Sequence, residues 1–151
     1  MSPSPTPARL IDPRGQRFGA GLSVAILSAA FVLGVPWIAA LIALALGISA
    51  TFGTRYSALG RPWPYVRRLL TIGPPAELEH EFPPRFAQAL GAVGLAVAIL
   101  LFLVGVPAAG WTVSAVVGGL QLLLAATGYC LGCRLYFLRW WAPSLFQRLA
   151  R

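Results

Sequence analysis

There is no lysine in this chain, and it carries only four acidic residues and one histidine. Charged residues make up 11% of the sequence, where a soluble domain has about 25%. So little charge cannot coat a water-soluble globule of 151 residues, 58% of them hydrophobic. Chemistry-bearing sets are equally scarce. The sequence holds no Ser-His-Asp set, no phosphate-binding glycine loop and no pair of carboxylates within an apolar run. Two cysteines, Cys130 and Cys133, are too few for a disulfide framework.

What charge exists is arginine. The net charge of +8 does not point to nucleic acid, because the arginines flank apolar runs instead of forming a basic stripe on a polar fold. Anionic lipid headgroups are the expected counter-charge. A helix needs roughly 20 apolar residues to cross the hydrocarbon layer. Four runs approach or exceed that length: Phe18 to about Val35, Trp37 to about Phe52, Phe86 to about Val106, and Trp111 to about Tyr136. A cleaved signal peptide does not fit the first run, which outlasts a signal core of about 7–15 residues and is followed at once by a second span. Pro36 and Pro107 mark two very short connections, so each pair of helices is expected to be a tight antiparallel hairpin. The fold class is therefore all-α, a four-helix transmembrane bundle of two hairpins with short interfacial helices.

The organisation follows. Residues 1–17 form a basic, proline-containing tail expected to be disordered, with Pro3, Pro5 and Pro7. Residues 18–53 are the first hairpin, 54–85 a loop, 86–137 the second hairpin and 138–151 a basic aromatic tail. Every arginine falls before the first run, in the loop, or at the end of the last run, and the tips near Val35 and Ala108 carry no charge. The positive-inside rule makes the arginine side cytoplasmic, with both termini there, in a bacterial inner membrane. Within the loop, Trp63 to Ile72 reads as a short helix in the headgroup layer, and so does Trp140 to Arg151, with aromatic-belt anchoring as the alternative for both.

The two halves echo each other. Arg17-Phe18 and Arg85-Phe86 open the hairpins, Gly34-Val35-Pro36 and Gly105-Val106-Pro107 mark the tips, and Thr51-Phe52-Gly53-Thr54-Arg55 is set against Cys130-Leu131-Gly132-Cys133-Arg134 at the close. That order suggests a parallel internal repeat. Convergence is the alternative, since any such hairpin needs an arginine, a small-residue tip and another arginine. On the repeat reading, the thiols stand where the first copy holds Thr51 and Thr54.

Cys130 and Cys133 are three apart, on one helix face near the arginine-rich end of the last run, where a slight distortion at Gly132 could bring the sulfurs together. Read as one continuous helix, this places them at a helix C-terminus, which disfavours thiolate, while Arg134 favours it. Three readings stay open for the pair: redox or sulfur transfer, simple packing of a small apolar residue, and metal binding. Zinc would need four ligands, so only a dimer or His80 could complete a site. Gly128 and Gly132 form a GxxxG pair suited to close helix packing. Glu77 and His80 stand at helical ligand spacing, but Glu77, Glu79 and His80 read better as a docking or salt-bridge segment. No cofactor and no metal is expected. Gln121 is the only strongly polar side chain in mid-span, which argues against a proton-coupled transporter.

Ile11-Asp12-Pro13-Arg14-Gly15, Gly73-Pro74-Pro75-Ala76-Glu77-Leu78-Glu79, Pro83-Pro84-Arg85-Phe86-Ala87-Gln88 and Cys130-Leu131-Gly132-Cys133 together resemble a bacterial membrane family, domain of unknown function family 4395. The resemblance runs from about Ile11 to about Tyr136. It implies a four-span integral membrane protein, with no established activity, whose relatives travel with thioredoxin-like and sulfurtransferase-like proteins. His80, and an arginine directly after Cys133, depart from the family pattern. Two functions are therefore carried forward. One is a membrane thiol protein working with such a soluble partner through Cys130 and Cys133. The other is a non-catalytic membrane subunit or passive small-solute conduit. A second copy of the chain is a further candidate partner.

Overall fold

The structure is a computed structural model that describes residues 9–141. Residues 1–8 of the expected N-terminal tail, and the part of the aromatic tail from residue 142 onward, lie outside the described residues; the rest of the expected tail, residues 9–17, is ordered instead as β1 and the first turns of α1. Six α-helices account for most of what is described: α1 (Pro13–Leu33), α2 (Trp37–Phe52), α3 (Trp63–Leu69), α4 (Phe82–Leu103), α5 (Pro107–Thr127) and α6 (Leu131–Trp141). Among the described residues the fold is all-α apart from a two-residue antiparallel pairing of β1 (Leu10–Ile11) with β2 (Glu79–His80). Three helices, α1, α4 and α5, are long and apolar enough to cross a membrane; α2 is apolar but only 16 residues long.

Local chemistry sets the boundaries. Asp12 caps α1, its Oδ1 accepting the Arg14 N–H at 2.9 Å, and Pro13 follows at the first helical position. The helix thus starts five residues before its apolar run. At both tips a glycine turns into the left-handed region, Gly34 at φ 66° and Gly105 at φ 81°. Val35 N–H then reaches back to the Ala30 carbonyl, and Val106 N–H to that of Leu101, each at 2.9 Å.

The hairpins are packed differently from the simple expectation. α1 lies mainly against α5 and α2 mainly against α4, so the first helix of each hairpin packs on the second helix of the other. α4 and α5 are also close neighbours, whereas α1 and α2 touch little. Small residues explain the asymmetry. A Cβ at Gly94 would lie 2.8 Å from Val117, and one at Gly110 would lie 2.8 Å from the Phe102 ring, so α4 and α5 approach through glycine. A core of Leu27, Ala39, Ile42, Leu46, Leu95 and Val117 draws on all four long helices. Large apolar side chains such as Val32, Leu41 and Leu100 face outward, as they would toward lipid.

The last run is not one helix. α5 ends at Thr127, Gly128 takes φ 75°, and its N–H bonds the Leu124 carbonyl at 2.9 Å. Tyr129 and Cys130 bridge to a new helix, α6, that packs on α4. The expected span from Trp111 to Tyr136 is therefore corrected to two helices. Gly128 stops a helix here and is not half of a packing pair on one continuous surface.

Candidate functional site

The break at Gly128 reverses the electrostatic setting of the thiols. Cys130 and Cys133 open α6 instead of closing α5. The Cys130 carbonyl accepts the Arg134 N–H at 3.1 Å, and the Cys130 Sγ accepts the Cys133 N–H at 3.2 Å. Cys130 thus occupies the capping position of α6, where the orphan N–H groups and the positive end of the helix dipole gather. The expectation of a C-terminal placement is overturned by one left-handed glycine. Both cysteines are half-buried, their Cα atoms are 5.2 Å apart and their sulfurs are at disulfide-bonding distance. The guanidinium of Arg134 lies 5.2 Å from the centre of the Tyr129 ring, on the segment that leads into the pair.

α6 is held by one close approach. A Cβ at Gly132 would stand 2.7 Å from the Cβ and 2.9 Å from the Cα of Ala87, so only glycine lets α6 sit this near α4. One turn further on, the rings of Tyr136 and Phe86 meet with centroids 5.8 Å apart. Gly132 packs against Ala87 of α4, and Gly128 takes no part in that contact.

The preceding arginines tie the same end together. Arg85, in the first turn of α4, donates to the Ala50 carbonyl at 2.9 Å and the Thr51 carbonyl at 2.6 Å, at the end of α2. Arg17, in α1, donates to the carbonyls of Ala125 and Ala126 at 3.2 and 3.1 Å, at the end of α5. Each satisfies helix-terminal acceptors of the other hairpin. The capped carbonyls lie three and two residues before Gly53 in one case and before Gly128 in the other. On the repeat reading this sets Gly53 against Gly128, and Thr51 and Thr54 no longer stand opposite the cysteines. That register differs by four residues from the one the closing motifs suggest.

The loop folds over this end. Asp12 accepts Trp63 Nε1–H at 3.1 Å and lies 3.6 Å from Arg67, so the α1 cap also anchors α3. Glu81 accepts the Thr54 hydroxyl at 3.0 Å and lies 3.6 Å from Arg85. Glu77, Glu79 and His80 remain exposed, and Glu79 and His80 lie on β2, so Glu77 and His80 do not share a helix face. Among the described residues no three His, Cys, Asp or Glu side chains gather as a metal site.

Both cysteines line a cavity of about 590 Å³ that also reaches Arg17, Gln16, Gln88, Gln121 and Val117. Gln88 donates to the Gln16 side-chain oxygen at 3.0 Å, and its own Oε1 is buried without a partner. Sequence reasoning did not single out Gln16, Gln88, Ala87, Arg17 or Arg85 for this site. Five of the six residues of the Pro83–Gln88 motif have a place in it: Pro84 and Gln88 line the cavity, Arg85 caps α2, Phe86 meets the Tyr136 ring at a tilt and Ala87 receives Gly132.

The family model described as Domain of unknown function (DUF4395) matches residues 11–140. The chain belongs to this family. The match begins in β1 and ends within α6, so the caps, the loop and the thiol pair all lie inside the family region. No curated protein and no solved structure matches the chain.

Proposed function

We propose that this DUF4395 protein is a thiol–disulfide or sulfur-transfer protein of the bacterial inner membrane, exchanging electrons or sulfur with a thioredoxin-like or sulfurtransferase protein in the cytoplasm. In this reading α1, α2, α4 and α5 cross the membrane four times, with the arginine-rich end and both termini cytoplasmic. The observation that carries it is the position of Cys130 at the start of α6, with the Cys133 N–H directed at its sulfur. A helix N-terminus stabilises a thiolate, which is the nucleophile in disulfide exchange. A dithiol kept in a reducing compartment is more often catalytic or redox-sensing than structural. Half-burial leaves the pair within reach of a soluble protein, and exposed Glu77, Glu79 and His80 offer that partner a polar contact on the same side. The passive-conduit alternative is less favoured, because beyond Val117 the long helices close on the apolar cluster of Leu27, Ile42 and Leu95.

The test is a redox titration. Purified protein is equilibrated in glutathione buffers of graded potential, quenched in acid and labelled with a maleimide that adds mass. The reading requires a two-electron transition, with two labels gained together as the buffer becomes reducing. Thiols that stay in one state at every potential overturn it.

A further inference from the structure

The cavity that holds the thiols is not shaped for a soluble thiol alone. Its mouth is polar, with Arg17 and Gln16, and its deeper wall is apolar, with Leu46 and Val117. Gln121 stands about 9 Å along α5 from its end and Val117 about 15 Å, so the space runs from the headgroup level toward the middle of the bundle. Two carboxamides, Gln88 and Gln121, line this interior, and the Gln88 Oε1 has no protein partner although it is buried. That oxygen is closed off from the cavity itself, so within the space the Gln121 carboxamide is the group placed to meet a polar ligand atom. Carboxamides supply both donors and acceptors, which suits an oxygen that changes from carbonyl to hydroxyl during a reaction.

We propose that this cavity binds a membrane quinone and that Cys130 and Cys133 pass two electrons to it; the proposal rests on the thiol reading above. Both cysteines line the space, a dithiol is a two-electron donor, and quinones are two-electron acceptors that dissolve in the bilayer. In the step, the two S–H bonds of the reduced pair are lost and one S–S bond forms. Two electrons and two protons convert the quinone carbonyls to the two hydroxyls of the quinol. The soluble dithiol partner then reduces the disulfide and is itself oxidised, so the cycle carries electrons from cytoplasmic thiols into the membrane.

The experiment uses full-length protein in lipid nanodiscs, reduced and freed of reductant, with decylubiquinone as probe. Its ring positions are fully substituted, so thioether addition does not compete. Quinol formation is followed by absorbance and thiol loss by maleimide mass shift. One quinol per protein is expected, with no reaction in the Cys130→Ser, Cys133→Ser double variant. Gln121→Phe fills the cavity and should slow quinone reduction at least tenfold; its folding is checked by thermal unfolding in detergent. Added quinone should also slow maleimide labelling of Cys130 in a Cys133→Ser protein, a measurement that does not depend on Gln121. If the wild-type thiols exchange with glutathione but ignore the quinone, the quinone site is wrong and the thiol reading stands. If neither reagent changes their state, both are wrong. Equal quinone rates in wild type and a folded Gln121→Phe variant, with no protection of Cys130, also overturn the site, because the reaction then bypasses the cavity.

Discussion

The backbone N–H of Cys133 points at the sulfur of Cys130 from 3.2 Å. That contact places Cys130 at the start of α6, one turn ahead of Cys133. If the pair exchanges disulfides as proposed, Cys130 attacks and Cys133 resolves. Cys133→Ser should trap a mixed disulfide with a thioredoxin-like protein, visible as a reductant-sensitive band on a non-reducing gel and identified by mass spectrometry. Cys130→Ser should trap far less. Equal trapping by the two variants would reverse or remove the assignment.

Gly132 is the contact that positions the pair, since its missing Cβ would lie 2.7 Å from that of Ala87. Gly132→Ala should push α6 away from α4 and destabilise the protein by about 1–3 kcal/mol, the usual cost of overpacking. Ala87→Gly in the same chain removes the colliding atom and should restore most of the loss. Thermal unfolding in detergent measures both. A double variant no better than Gly132→Ala would mean that the contact does not hold α6.

Arg85 satisfies two carbonyls at the end of α2 and also pairs with Glu81. Arg85→Met leaves those acceptors without a donor and should cost about 1–3 kcal/mol. Arg17→Met breaks the equivalent contact with α5 and should cost less, because Arg17 is exposed and water can replace it. Denaturant midpoints of the two variants give the order. A larger loss at Arg17 would contradict it.

Much of this was legible in the sequence, because the bilayer reads as a length of apolar chain and a few punctuating residues. The all-α class, the apolar helices and the Gly-Val-Pro tips follow directly from hydropathy and from what glycine and proline permit. The break after Thr127 did not, although Gly128 is a natural stop. Apolar character continues through Tyr129 to Leu131, and hydropathy does not register a left-handed residue. That one backbone turn decides whether the cysteines end a helix or begin one. The crossed capping by Arg17 and Arg85 was hidden for another reason. Partners more than thirty or a hundred residues apart meet only once the hairpins exchange faces, and α1 was expected beside α2. The cavity was equally out of reach, since Gln16, Gln88 and Gln121 look like isolated polar residues until three helices bring them together.

The arginine count makes a prediction about sidedness. Reporter fusions at Arg151 and at the tip near Ala108 should report opposite faces, with Arg151 cytoplasmic. Reports from the same face for both, or an external report at Arg151, would rule out four crossings with cytoplasmic ends.

The most direct test of the central claim is the oxidation state of the two cysteines in living cells. Cells are quenched in acid, free thiols are blocked with one maleimide, disulfides are reduced and a heavier maleimide labels what was oxidised. The account predicts that Cys130 and Cys133 change together, mostly reduced in growing cells and oxidised within minutes of a thiol-specific oxidant. They should recover when the oxidant is removed. A pair that keeps one state through the whole cycle contradicts the account, and the cysteines are then packing residues at the foot of α6.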